Sequence, residues 1–204
     1  MKRVQIILKY GLDLVLAIVL LVLLSPVLLV ISITILLFDG GPIFFRQQRL
    51  GYRGRIFNVW KFRTMIVDAD DFLTEEGVAT KNRITRTGRW LRFLSLDELP
   101  QLLNILRREM SFIGPRPALV EHFNRYTSYQ KKRLLMKPGV TGLAQVNGRN
   151  TLKWSRRIEY DIEYIENYSL ILDLKVLLRT IVVVLCRKGI VIDRNPDQVD
   201  DLMK

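Results

Sequence analysis

Ser95-Leu96-Asp97-Glu98-Leu99-Pro100-Gln101 sets two adjacent carboxylates just ahead of a proline. Proline fits best in the first turn of a helix, where its missing N–H costs little. That places Asp97 and Glu98 at a helix start. One use is structural: aspartate is a favoured N-cap, and acids in the first turn complement the helix dipole. The other is chemical. Arg83, Arg86, Arg89 and Arg92 precede the pair, and Arg107, Arg108 and Arg116 follow it. A helix N-terminus ringed by arginines suits phosphate. The same cations would keep Asp97 ionised, able to bind a metal or to attack phosphorus and form an acyl phosphate. The alternative for the arginines is a solvated basic face or contact with anionic lipid.

Other positions fit the same chemistry. Lys61 and Arg63 are two apart on a strand-like run, so both point to one face. They form a phosphate clamp or an ordinary edge strand. Gly114-Pro115-Arg116-Pro117 stiffens the chain around Arg116, which lowers the entropy lost on binding an oxyanion; its plain reading is a turn. Lys137-Pro138-Gly139 and Gly148-Arg149-Asn150 are further basic, glycine-bearing turns. His122 reads as structural. Trp60, Trp90 and Trp154 read as core residues for the most part.

These groups need elements to position them. Residues 14–38 carry no charge, more than the roughly 20 residues a membrane-spanning helix requires. Basic residues lie on both flanks, which gives no clear inside end. Pro26 lacks an N–H and clashes with the carbonyl of Val22, so a break is expected at Ser25-Pro26. A segment that enters and leaves the same leaflet answers both observations; a kinked spanning helix is the alternative. Ser25 can take up a carbonyl that Pro26 frees, and Asp13 needs a partner in either case. Residues 43–45 and 56–60 read as strands around a basic turn at 50–55. Residues 90–110, 118–136 and 154–167 read as helices, 68–80 as an acidic helix end and loop, and 143–146 as a short extended piece. Leu172, Val176, Arg179 and Val183 mark an amphipathic helix, interfacial or packed on a core.

Composition agrees with an anionic partner. The chain has 204 residues, 32 lysines and arginines against 20 acids, and a net charge of +12. Hydrophobic residues make up 49%, too many for a disordered chain. Cys186 alone excludes an intramolecular disulfide, and with the single His122 it is too little for a typical structural zinc site. Nucleic acid, a phospholipid surface and a phosphorylated substrate remain. The acid pair would repel nucleic acid phosphate unless a metal intervened.

Ser25-Pro26 in the apolar run, the run KFRTM at 61–65, SLDELPQ at 95–101, GPRP at 114–117 and KPGVTGLAQVNGR at 137–149 occur in that order. Together they resemble the bacterial sugar transferase family, the small monotopic phosphoglycosyl transferases. The resemblance implies an α+β, mostly helical fold. A re-entrant membrane hairpin at 1–40 would precede a catalytic domain with amphipathic interfacial helices at 41–192 and a tail at 193–204. It implies residence at the cytoplasmic face of the bacterial inner membrane, with both termini cytoplasmic. The implied reaction moves a sugar-1-phosphate from a UDP-sugar to undecaprenyl phosphate, releases UMP and starts glycan assembly for downstream glycosyltransferases. Asp97 matches the nucleophile and a metal ligand, Glu98 its partner, and Arg92 and Arg116 phosphate-binding arginines. Mg²⁺ is the implied cofactor. Leu143 stands where several relatives have tryptophan. Longer relatives carry further N-terminal segments, so the chain resembles a minimal catalytic form. The alternative is a membrane-anchored binding or scaffolding module without turnover.

Overall fold

The computed structural model describes residues 2–72, 83–148 and 151–186. Most of the acidic stretch at 68–80, Arg149 and the tail lie outside them. The described chain is mostly helical, with two small sheets.

Helix α1 (Lys2–Asp39) is one helical element with Pro26 inside it. Two helices joined at Ser25-Pro26 were expected, and the structure does not divide them. The local chemistry explains the continuity. Val22 is the residue whose carbonyl would receive an N–H from position 26, and Pro26 has none. The Ser25 hydroxyl donates to that carbonyl instead, at 2.8 Å. One side of α1 packs on the rest of the chain. Ala17, Leu20, Leu21 and Leu24 meet Phe57, Val59, Leu102, Ile105 and Met110. Leu28, Ile31 and Ile35 meet Phe62 and Leu91. The other side is exposed and apolar, from Val4 through Val22 and Leu29 to Phe38.

Polar bonds tie both ends of α1 to this same body. Near the start, Lys9 pairs with Asp173 at 2.9 Å, and Asp13 accepts from Ser111 at 2.7 Å. At the other end Thr85 donates to Asp39 at 2.8 Å. The Arg63 guanidinium donates to the carbonyls of Asp39 and Gly41 at 2.6 Å each and also to that of Gly40. These carbonyls lie at the helix end and just past it and would otherwise lack partners.

Strands β1 (Phe44–Leu50) and β2 (Ile56–Phe62) form the expected hairpin, in register from Phe44 opposite Phe62 to Leu50 opposite Ile56. Helix α2 (Arg86–Phe93) follows, capped by Thr85, whose hydroxyl accepts from Gly88 N–H at 2.9 Å. Helix α3 (Gln101–Leu106) docks on β2 through buried Asn104, which bonds the backbone of Trp60 and Asn58. The expected single helix over 90–110 is therefore interrupted between Phe93 and Gln101.

Strand β3 (Ser111–Ile113) pairs in parallel with β5 (Gly139–Thr141), and β4 (Ala118–Leu119) joins the edge of β1. The expected helix over 118–136 is not formed. Its place is taken by β4 and two 3-10 stretches, Val120–Asn124 and Gln130–Leu135, held around buried Arg133. The piece at 143–146, expected to be extended, is the short helix α4 (Leu143–Val146). Helix α5 (Trp154–Glu166) agrees with the sequence pattern. Helix α6 (Leu170–Leu185) buries Asp173 and Val176 and exposes Ile171, Leu174, Leu178, Ile181 and Leu185. Trp90 is exposed on α2, contrary to a core placement.

Candidate active site

The two carboxylates stand on the 3-10 turn Leu96–Glu98, between α2 and α3, and not in the first turn of a helix. Ser95 turns the chain into it with φ 56° and ψ 24°. Few non-glycine residues adopt this left-handed region. A costly local conformation at the residue before an acid pair marks the turn as held by its surroundings.

Glu98 faces the end of β2. Its Oε1 accepts from Lys61 Nζ at 2.6 Å and from Arg116 Nη2 at 3.3 Å. Burial alone would raise its pKa, but the charges of Lys61 and Arg116 and their hydrogen bonds outweigh that and hold it at about 2. Asp97 differs. It makes no hydrogen bond or ion pair with any described residue. Burial pushes its pKa above the ordinary aspartate value, the neighbouring Glu98 charge adds to this, and Lys61, Arg92 and Arg116 pull the other way. The surrounding cations favour the ionised form, and burial opposes them.

Arg92 reaches the site from the last turn of α2 and donates through Nε to Thr64 Oγ1 at 2.8 Å. Arg116 is set from behind. Arg133 donates to the Arg116 carbonyl at 2.9 Å and pairs with Asp161 at 2.5 Å, both side chains 1% exposed. Asp161 is itself pushed up to about 6 by burial, against the pull of Arg133. Sequence reasoning missed Arg133, Asp161 and Thr64. The one signal was a pair of opposite charges set among apolar neighbours, Leu134 and Leu135 on one side and Ile158 and Ile162 on the other.

These residues border a cavity of about 1280 Å³. Lys61, Arg92, Asp97, Glu98 and Arg116 line its polar part, and Leu20, Leu24, Phe112, Val183 and Val184 an apolar part. Ligand pockets commonly measure roughly 300–1,000 Å³, so a nucleotide-sized molecule has room.

Three expected positions lie differently. Arg63 borders the cavity, but its guanidinium is buried and bonded to the end of α1, so the Lys61–Arg63 pair does not act as one clamp. Lys137 is not among the lining residues; its ammonium lies 4.2 Å over the Tyr10 ring. Arg149 is outside the described residues. Ser25 and Pro26 are exposed on α1 and are not among the cavity-lining residues.

Among the described residues no group of three or more His, Cys, Asp or Glu is placed to hold a metal. This suits one class of ion. Mg²⁺ is commonly held by one or two carboxylates together with substrate phosphates and water, not by an all-protein cage. Asp97, a carboxylate without a hydrogen-bond partner beside Lys61, Arg92 and Arg116, fits that donor set.

A family model described as "Bacterial sugar transferase" matches residues 4–187. The uncharacterized sugar transferase EpsL of Bacillus subtilis (strain 168) is 44% identical over 187 residues, which is 90% of either chain. A UDP-glucose:undecaprenyl-phosphate glucose-1-phosphate transferase of Klebsiella pneumoniae is 44% identical over 180 residues, 83% of this chain and 38% of that protein. An undecaprenyl-phosphate galactose phosphotransferase of Salmonella typhimurium (strain LT2) is 37% identical over 203 residues, 92% of this chain and 42% of that protein. The chain thus spans most of EpsL but less than half the length of the other two.

Proposed function

Because the chain belongs to the bacterial sugar transferase family, we propose that it transfers a sugar-1-phosphate from a UDP-sugar to undecaprenyl phosphate. The single observation that carries the reading is the unpaired Asp97 carboxylate, set at a cavity edge beside Lys61, Arg92 and Arg116.

In this reading an Asp97 oxygen attacks the β-phosphorus of the donor. The bond from that phosphorus to the bridging oxygen breaks, and UMP leaves with the electron pair. Arg92 and Arg116 offset the charge that gathers on the phosphoryl oxygens. Glu98, ionised and bonded to Lys61 and Arg116, fixes both cations beside the reacting phosphate. A phosphate oxygen of the lipid then attacks the aspartyl phosphosugar, Asp97 departs as carboxylate, and the lipid diphosphate sugar is formed. One carboxylate serving two half-reactions removes the need to hold both substrates together. Mg²⁺, held by Asp97 and the donor diphosphate, would neutralise charge on the leaving group.

The apolar wall of the cavity supports a lipid acceptor, and the exposed apolar sides of α1 and α6 support a membrane-seated body. The bonds from Lys9 and Asp13 at one end of α1, and from Asp39 at the other, support re-entry: both ends belong to one face of the bilayer, the cytoplasmic one. Exposure of Ser25, Pro26 and Val27 agrees with an apex in the lipid. The product would pass to downstream glycosyltransferases.

The test is UMP release in nanodiscs from a panel of UDP-sugars with Mg²⁺, with and without undecaprenyl phosphate. Sustained release only with the lipid supports the transfer, and a stoichiometric burst without lipid supports the aspartyl intermediate. No release with any donor, from folded protein, would turn the reading to a binding or scaffolding module.

A further inference from the structure

The cavity wall holds a buried carboxamide that the reaction above leaves unused. Gln145, on α4, is only 9% exposed and lines the cavity. Neither its Nε2 nor its Oε1 has a hydrogen-bond partner. A carboxamide carries two N–H donors and a carbonyl acceptor. Buried polar groups are as a rule satisfied, so an open amide at a cavity wall needs an explanation.

Its position is fixed by a tight backbone crossing. A Cβ on Gly142 would lie 2.9 Å from Gln145 Oε1 and 2.1 Å from the Gly114 carbonyl oxygen. The amide therefore lies beside Gly114, two residues before Arg116. Two residues of extended chain reach at most ~7 Å. Gln145 and Arg116 both line the cavity, so one ligand in it faces the amide and the guanidinium alike. Its neighbours Ala144 and Val146 also line the cavity and offer no side-chain hydrogen bond.

We propose that Gln145 is a specificity residue for the donor, hydrogen-bonding a neutral group that both donates and accepts. The inference rests on the cavity being the UDP-sugar site. The phosphates already have Lys61, Arg92 and Arg116, and a neutral amide adds little beside such cations. Two parts of a UDP-sugar carry the required chemistry: the imide edge of the uracil, and a hydroxyl or amide substituent of the sugar.

Gln145→Leu keeps the approximate volume and removes both functions; Gln145→Glu keeps the shape and removes the donors. Each is compared with the unaltered protein for donor KM, kcat, inhibition by UMP and Tm. The expected result is a donor KM raised about tenfold to a hundredfold, with kcat changed less and Tm not lowered. A parallel weakening of UMP inhibition assigns the contact to the uracil; unchanged UMP inhibition, with altered preference among UDP-glucose, UDP-galactose and UDP-N-acetylglucosamine, assigns it to the sugar. Unchanged KM and UMP inhibition in folded variants would overturn the role of Gln145 while leaving the transferase reading intact. Loss of folding in both variants would overturn it too, since the amide would then serve the core. An unaltered protein that turns over no donor would remove the transferase reading and this inference together.

Discussion

Lys61 Nζ donates to Glu98 Oε1 at 2.6 Å, and this bond divides the labour between two adjacent acids. Glu98 is committed to cations, and Asp97 is left with none of its own. Glu98→Gln should therefore release Lys61 and Arg116 from one shared anchor. Expected are a fall in kcat/KM of about ten- to a hundredfold and a loss of about 1–3 kcal/mol in stability from the unpaired cation. Steady-state kinetics and denaturant unfolding check the two parts separately.

Asp97→Asn should leave stability almost untouched, because no described partner is orphaned. Turnover should fall by on the order of a thousandfold or more, with Tm nearly unchanged. The pH profile of the unaltered protein adds a sign. In the proposed reaction the attacking form is the carboxylate, and its pKa is raised by burial. Activity should fall as pH drops through that raised value, at a higher pH than an ordinary aspartate would give. Glu98, held at about 2, stays ionised over the same range and adds no second step. A profile of kcat/KM down to about pH 4 would show the Asp97 ionisation and none from Glu98.

Gly88 is where α2 rests on the backbone of Thr64. A Cβ there would come within 2.2 Å of the Thr64 carbonyl oxygen. Gly88→Ala must push α2 away and stretch the Arg92–Thr64 bond. A loss of about 2 kcal/mol or more is expected, together with reduced activity. Gly11→Ala is the control: nothing lies within 4 Å of its Cβ, and the helix should gain slightly. Thermal unfolding of both in the same detergent decides it.

Arg133→Met leaves Asp161 buried without its partner. A loss of about 3–5 kcal/mol is expected, with Arg116 no longer held through its carbonyl. Adding Asp161→Leu should recover most of the stability but not the activity. A double-mutant cycle measured by unfolding and by UMP release separates the two effects.

The elements legible in the sequence were those whose pattern is local. The β1–β2 hairpin, α5 and α6 follow periodicity and turn residues, and the end of α1 at Asp39 follows the end of its uncharged run. Residues 118–136 misled because their apolar spacing suits a helix, while the fold there is set by Arg133 reaching Tyr126, Asp161 and the Arg116 carbonyl. Such contacts join positions far apart in the chain and leave no local trace. The same limit applies to Arg63. Period-two spacing grouped it with Lys61, but spacing does not say that α1 ends within reach of its guanidinium. The acid pair was found from its setting among arginines, whereas the unequal state of the two acids depends on which one Lys61 reaches.

The bonds at both ends of α1 have a consequence for how the protein meets its lipid. With Lys9 and Asp13 fastened at one end and Asp39 and Arg63 at the other, the apolar helix cannot sink or rise without carrying the acid pair along. The depth of the helix acts as a gauge. In the proposed reading it sets the height of Asp97 above the leaflet as a built-in dimension of the chain, so a phosphate in the plane of the headgroups would meet its carboxylate at a fixed elevation.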